Sequence, residues 1–226
     1  MAKTSRGTTR REQSLSRDSI IEAAIELLDA SGEAGLTFRA LSERLATGAG
    51  AIYWHIADKS DLLTAACDAV VARTLAEAAV EAKPEAAIRA VALGLFDTID
   101  AHPWVGSALM RAPQHLPLVR ILERLGQQLH ALGVAEDDQW AAGSALSSYI
   151  LGVSGQNAAN AHVARQQALD RSTFLHEVAT TWSQLDPAEY PFTRRMALRL
   201  PHHDDRADFL AGIDLILAGL RAARKR

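Results

Sequence analysis

The chain has 226 residues, with 24 Lys and Arg against 27 Asp and Glu, for a formal net charge of −3. Apolar residues make up 48% of it and aromatics only 5%, a mix that excludes a disordered chain and favours helix over sheet. The single cysteine, Cys67, excludes an intrachain disulfide and a cysteine-built zinc site, and no apolar stretch is long enough to span a membrane.

The length allows one domain or two small ones. Charge is unevenly placed. The first eleven residues hold Lys3, Arg6, Arg10 and Arg11 and no acid, and the far end holds Arg221, Arg224, Lys225 and Arg226. The chain between is net acidic. A basic arm (residues 1–15) on an acidic body points to a polyanion met through one end, although the same charges also suit a solvated tail. No apolar run follows the arm, so it does not read as a secretory signal, and a cytoplasmic location is expected.

The first predicted helix starts near Ser16, a good N-cap, with Leu15 and Ile20 placed as a hydrophobic staple. Ile20, Ala24, Leu27 and Leu28 recur at helical spacing until Gly32 and Gly35 stop the pattern. Thr37 opens a short second helix with Leu41 and Leu45 inward. A small-residue segment, Ala46 to Ala51, leads into Ile52-Tyr53-Trp54-His55-Ile56. Asp58 then caps a helix that can run to about residue 82, before Pro84. Three short helices in about 45 residues, the second and third joined by a tight turn, follow the helix-turn-helix plan. In that plan Ala49, Gly50 and Ala51 let the third helix approach base edges closely, the Tyr53 hydroxyl reaches phosphate, and Lys59 adds a cation at the next helix start. Taken singly, Tyr53 and Trp54 also suit core aromatics, and Lys59 a solvated charge.

The segment LTFRALSERLATGAGAIYWHIADKSDLL resembles the DNA-binding segment of the TetR family of bacterial transcriptional repressors, most specifically in IYWHIADKSDLL. The resemblance implies an all-α protein with a helix-turn-helix domain over residues 16–60 and a helical ligand-binding and dimerisation domain over 61–226. It implies a homodimeric repressor that binds a palindromic double-stranded operator and is released by a small-molecule inducer. Residue by residue, Thr37 corresponds to a phosphate-contacting N-cap, and Arg39 to a position that reaches a base or phosphate. Gly48 stands at the cap of the third helix and Ala49, Gly50 and Ala51 at base-facing positions. Tyr53, Trp54 and His55 correspond to backbone-contacting positions, Trp54 with its ring body against the helical core, and Lys59 to a phosphate-binding lysine. This chain has Ala46-Thr47-Gly48 where many relatives have Gly-Val-Ser, so its cap is weaker.

The second half reads as helix throughout: 85–100, 104–111, 116–132, 135–165, 174–185 and 204–224, with Pro187, Pro191 and Pro201 punctuating the connection before the last. On the long helix, Ala141, Ala145, Ser148, Gly152, Gly155 and Ala159 form a stripe of small residues at spacings of 4 and 3. The stripe and the nearly all-apolar last helix suit either a monomeric core or a dimer through 135–165 and 204–224; the resemblance favours the dimer. His202-His203-Asp204-Asp205 looks like a ligand cluster, yet neighbours on a turn rarely converge on one ion, and an aspartate there more simply caps the last helix. No catalytic or phosphate-loop motif is present, so neither an enzyme nor a cofactor is expected. An apolar or aromatic ligand is expected between residues 96 and 182. Phe96, Trp104, Met110 and Trp182 offer walls, and His102, Tyr149 and Asn157 polar handles, although each also suits ordinary core. Such a ligand would tilt the helix that starts at Asp58 and respace two DNA-binding heads. The rival expectation is a helical ligand-binding or scaffold protein whose head no longer reads DNA.

Overall fold

A computed structural model describes residues 15–78, 83–111 and 114–223. The expected basic arm, the end of the helix expected to reach residue 82, and the basic residues 224–226 lie wholly or largely outside the described residues. Every regular element among the described residues is helical. The chain divides into two compact units, residues 1–66 and 67–226.

The first unit is built on α1 (Arg17–Gly35), α2 (Phe38–Arg44), α3 (Ala49–Tyr53) and the start of α4 (Lys59–Glu77). Ser16 caps α1 with a reciprocal pair of bonds to Ser19. Gly32, at φ 62°, breaks the helical path inside α1, a conformation that costs glycine little. Thr37 caps α2 by accepting the Ala40 N–H at 3.1 Å, and Asp58 accepts the Asp61 N–H at 2.8 Å at the head of α4. Ile20, Ala24, Leu28, Leu36, Leu41, Ile52, Ile56 and Leu62 are all buried, so the three short helices and the first turns of α4 share one core.

The second unit holds the rest of α4, then α5 (Pro84–Ala101), α6 (Pro103–Arg111), α7 (Leu116–Ala131), α8 (Glu136–Gln166), α9 (Arg171–Ser183), α10 (Pro191–Ala197) and α11 (Asp205–Ala223). The 31-residue α8 is its axis; α5, α6, α7 and α11 all pack against it. The core is drawn from Ile88, Val91, Leu95 and Ile99 of α5, Ile121, Leu125 and Leu129 of α7, Leu146 and Ile150 of α8, and Phe209, Ile213 and Leu217 of α11. Phe209 stacks on Phe96 at 4.7 Å and on Tyr149 at 5.6 Å, and the Tyr149 hydroxyl donates to the Phe209 carbonyl at 3.1 Å. Burial, with the Asp208 charge adding, pushes the Tyr149 hydroxyl above its ordinary pKa. A β-carbon at Gly212 would sit 1.9 Å from the Tyr149 oxygen, so any larger residue there forces the Tyr149 ring end to shift.

The connection expected between residues 185 and 204 is not plain loop. It contains α10, with Pro191 in its first turn, and a 3-10 turn over Leu200–His202. Proline has no amide N–H to lose at a helix start, so the same residue that stops one helix opens the next. Within the single chain Leu215 of the last helix is 75% exposed.

Candidate functional site

In the first unit the exposed face runs from the α2 cap through α3 to the start of α4. Thr37, Arg39, Gly48, Ala49, Gly50, Tyr53, Trp54 and Lys59 are exposed, while Ala51 and His55 are half-buried. The Thr37 oxygen accepts the cap bond, which leaves its O–H to donate elsewhere. Arg39 lies over α2 and donates to Glu43 at 2.9 Å, a pair too exposed to hold it firmly. Gly48 caps α3 without a side-chain bond. The Tyr53 ring stacks flat on Phe38, centroids 4.4 Å apart and planes 7° from parallel, so the ring is fixed while its hydroxyl end is free to reach outward.

Trp54 departs from the expectation that its ring body packs on the helical core. It is 89% exposed, because α3 ends at Tyr53 and Trp54 follows in the cap, off the face that carries Ile52 and Ile56 inward. Lys59 donates to the Glu33 carbonyl, beside the break in α1, with the two other ammonium protons available.

Arg17 carries weight that the sequence pattern did not show. Its guanidinium donates to the His55 carbonyl and, at 3.0 Å, to Asp61. It thereby ties the start of α1 to the end of the α3 segment and to α4. The hydrogen bond from the Ala57 N–H, with Arg17 adding, holds the Asp61 carboxyl below its ordinary pKa against the opposing effect of partial burial. Arg44 likewise pairs with Glu26 and fastens α2 to α1. These contacts stiffen the frame that presents α3.

In the second unit a cavity of about 660 Å³ lies among α5, α8, α9 and the start of α11. Of the residues expected to line a pocket, it takes Phe96 and Asn157. The others do not border this cavity. Met110 is 67% exposed, Trp104 is buried in α6 with the His102 ring edge-on at 6.2 Å, Tyr149 belongs to the Phe209 stack, and Trp182 is half-buried on α9. Sequence spacing alone could not separate these, because pocket walls and core share one composition.

The cavity is more charged than an apolar ligand requires. Asp97 holds Arg206 through bonds of 3.2 and 3.0 Å, and Asp205 holds Arg171 at 2.8 Å. The cluster at 202–205 divides its tasks. Asp204 caps α11, accepting the Arg206 and Ala207 N–H groups at 3.1 and 3.0 Å. His203 lies between Asp205 and Asp208, at 2.9 and 2.6 Å. His203, Asp204 and Asp205 all border the cavity.

Residues 20–66 match the family model for bacterial regulatory proteins of the tetR family, and residues 82–224 match that for the tetracyclin repressor-like C-terminal domain. The second match alone spans more than half of the chain. The protein belongs to the TetR family. This TetR-family protein is a DNA-binding transcriptional regulator with an N-terminal helix-turn-helix unit and a helical regulatory unit. It is 31% identical over 214 residues to an HTH-type transcriptional regulator of Saccharopolyspora erythraea, covering 92% of this chain and 85% of that one. The structure of SCO7222, a TetR from Streptomyces coelicolor, superposes with a TM-score of 0.83 at 53% identity, covering 92% of this chain and 98% of that one. BioQ, solved with its double-stranded DNA operator, aligns with a TM-score of 0.55 at 29% identity over 64% of this chain and 88% of that one.

Proposed function

We propose that this TetR-family regulator is a cytoplasmic, non-catalytic homodimeric repressor, that it binds a palindromic operator through the face from Thr37 to Lys59, and that a small molecule in the α5–α8–α9–α11 cavity releases it. The observation that carries the DNA contact is the outward face itself. Two small residues, Ala49 and Gly50, lie at the exposed start of α3, flanked by a stacked tyrosine, an 89% exposed tryptophan and a lysine. An exposed ring of that size beside cations suits the sugar-phosphate backbone on either side of a groove. Positions 48–51 carry no polar side chain, so base discrimination falls to Arg39, the N-terminal arm and DNA shape. The operator complex of BioQ supports the reading by analogy.

The dimer is supported by two exposed stripes on packed helices. On α8, Ala141, Ala145, Ser148, Gly152 and Ala159 face outward, opposite the buried line of Leu146, Ile150 and Ala158. On α11, Ala211, Leu215, Ala218 and Ala222 do the same. Together these helices offer a flat, small-residue face that a second copy can cover as a two-fold four-helix contact.

The experiment is a binding titration of a labelled palindromic duplex over a salt series. The expected result is affinity that falls linearly on a log–log plot with a slope set by the number of phosphates neutralised. An affinity indifferent to salt, or none at all, supports the rival protein that has lost DNA reading. Release must be reciprocal: a ligand that weakens operator binding tenfold, about 1.4 kcal/mol, is itself bound tenfold more weakly by the operator complex.

A further inference from the structure

We propose that the cavity selects an elongated aromatic acid: a flat, ring-bodied molecule with a carboxylate at one end and a hydrogen-bond-donating hydroxyl at the other. The inference rests on the reading of this cavity as the effector site and adds the chemistry of its occupant.

The wall from α8 sets the shape. Asn157, Asn160, Ala161, Ala164 and Arg165 all line the cavity and fall on one helical face, at spacings of 3 and 4. Eight residues separate Asn157 from Arg165, about 12 Å along the helix axis. Polar groups mark the two ends of that strip, Asn157 and Asn160 at one and Arg165 at the other, and the wall between is Ala161 and Ala164. Apolar side chains from the other walls, Phe96 of α5 and Phe174 and Leu175 of α9, border the same space. A slot with a small-residue floor and aromatic sides fits a planar ring system, and about 660 Å³ is room for a drug-sized molecule.

The charges set the ends. Four aspartates border the cavity, and each is engaged. Asp97 is engaged by Arg206, Asp205 by Arg171, Asp204 by two backbone N–H groups, and Asp100 by the Asn157 amide at 3.1 Å. Of the three arginines, Arg206 and Arg171 are thereby neutralised. Arg165 makes no side-chain hydrogen bond or ion pair with any described residue. One end of the slot therefore offers a guanidinium with its donors unspent, which suits a carboxylate through paired N–H···O bonds. The other end offers Asp100, whose only side-chain partner among the described residues is a neutral amide, and its carboxylate accepts a hydrogen bond from a ligand hydroxyl. A cationic ligand meets the reverse order, with its charge drawn to Asp100 and nothing to satisfy Arg165.

The test uses the full chain and calorimetry with three probes that share one ring: a hydroxyanthraquinone carboxylic acid, the same hydroxyanthraquinone without the carboxylate, and its aminomethyl analogue. The acid is expected to bind at least about tenfold tighter than either of the others. Arg165→Gln is expected to level the acid with the neutral ring, and Arg165→Lys to restore part of the preference. Ala161→Trp, which fills the floor, is expected to abolish binding of all three while operator binding and the thermal unfolding curve attest an intact fold. Equal affinities for acid and neutral ring, preference for the amine, no heat from the acid at millimolar concentration, or an acid preference that survives Arg165→Gln each overturns the ligand class. Acid binding that survives Ala161→Trp overturns the cavity as the effector site itself.

Discussion

Tyr53 and Lys59 differ in what a mutation at each removes. The Tyr53 ring is held by its stack on Phe38, so Tyr53→Phe keeps the packing and deletes only the outward hydroxyl. Operator affinity is expected to fall several-fold with the melting temperature unchanged, as measured by anisotropy and calorimetry. Lys59→Ala loses both a phosphate partner and the bond to the Glu33 carbonyl. It is expected to make the salt slope shallower by about one unit and to cost about 0.5–1.5 kcal/mol of stability. A wild-type slope would remove Lys59 from the interface. Ala46 is a different case. It sits at φ 49° in the turn between α2 and α3, in the left-handed region where a β-carbon costs about 1–2 kcal/mol. Ala46→Gly is expected to stabilise the protein by about 0.5–1 kcal/mol in urea unfolding, because the relief exceeds the added flexibility of glycine in the unfolded chain.

Between elements, the decisive contacts are few and close. Gly212 is where α11 meets α8, and Gly212→Ala is expected to destabilise by about 1–3 kcal/mol, because the new methyl meets the Tyr149 hydroxyl at 1.9 Å. Gly126→Ala on α7, which meets nothing within 4 Å, is the control and is expected to be neutral or stabilising. Asp61 joins α4 to Arg17 at the start of α1. Its folded pKa lies below its unfolded value, so its contribution is present at neutral pH and is lost as pH falls through the folded pKa. The DNA-binding unit is therefore expected to lose stability below about pH 4, and Asp61→Asn to flatten that part of the stability–pH curve. The helices themselves were legible: Ser16, Thr37 and Asp58 cap where their side-chain chemistry predicts. α10 was not, because Pro191 signals a stop and a start with one residue type. Arg17 was not, because a salt bridge across 44 positions leaves no local pattern.

At the scale of the molecule, the proposed dimer rests on the exposed stripes of α8 and α11. Gly152→Leu is a clean probe, since a β-carbon there meets nothing within 4 Å inside the chain. The variant is expected to keep its helical signal and to sediment as a monomer or a much weakened dimer, with operator binding reduced alongside. An equally stable dimer would move the interface off this face. The periodicity of 141–159 showed that the stripe exists; only the packed bundle shows that the core uses the opposite face.

By itself, the sequence determined the class of the protein. Its apolar spacing made the helices, its small capping residues set most of their ends, and the run from Ile52 to Leu63 marked the head of a DNA-binding regulator. These are local properties, carried by residues within one or two turns of each other. The tertiary structure alone decided which aromatics are core and which face solvent, as with Trp104 against Trp54. It also decided which charges cancel around the cavity and that Arg165 is left over. Burial and pairing depend on residues brought together from α5, α8, α9 and α11, 109 positions apart in the Asp97–Arg206 pair, and no local window of the chain contains them.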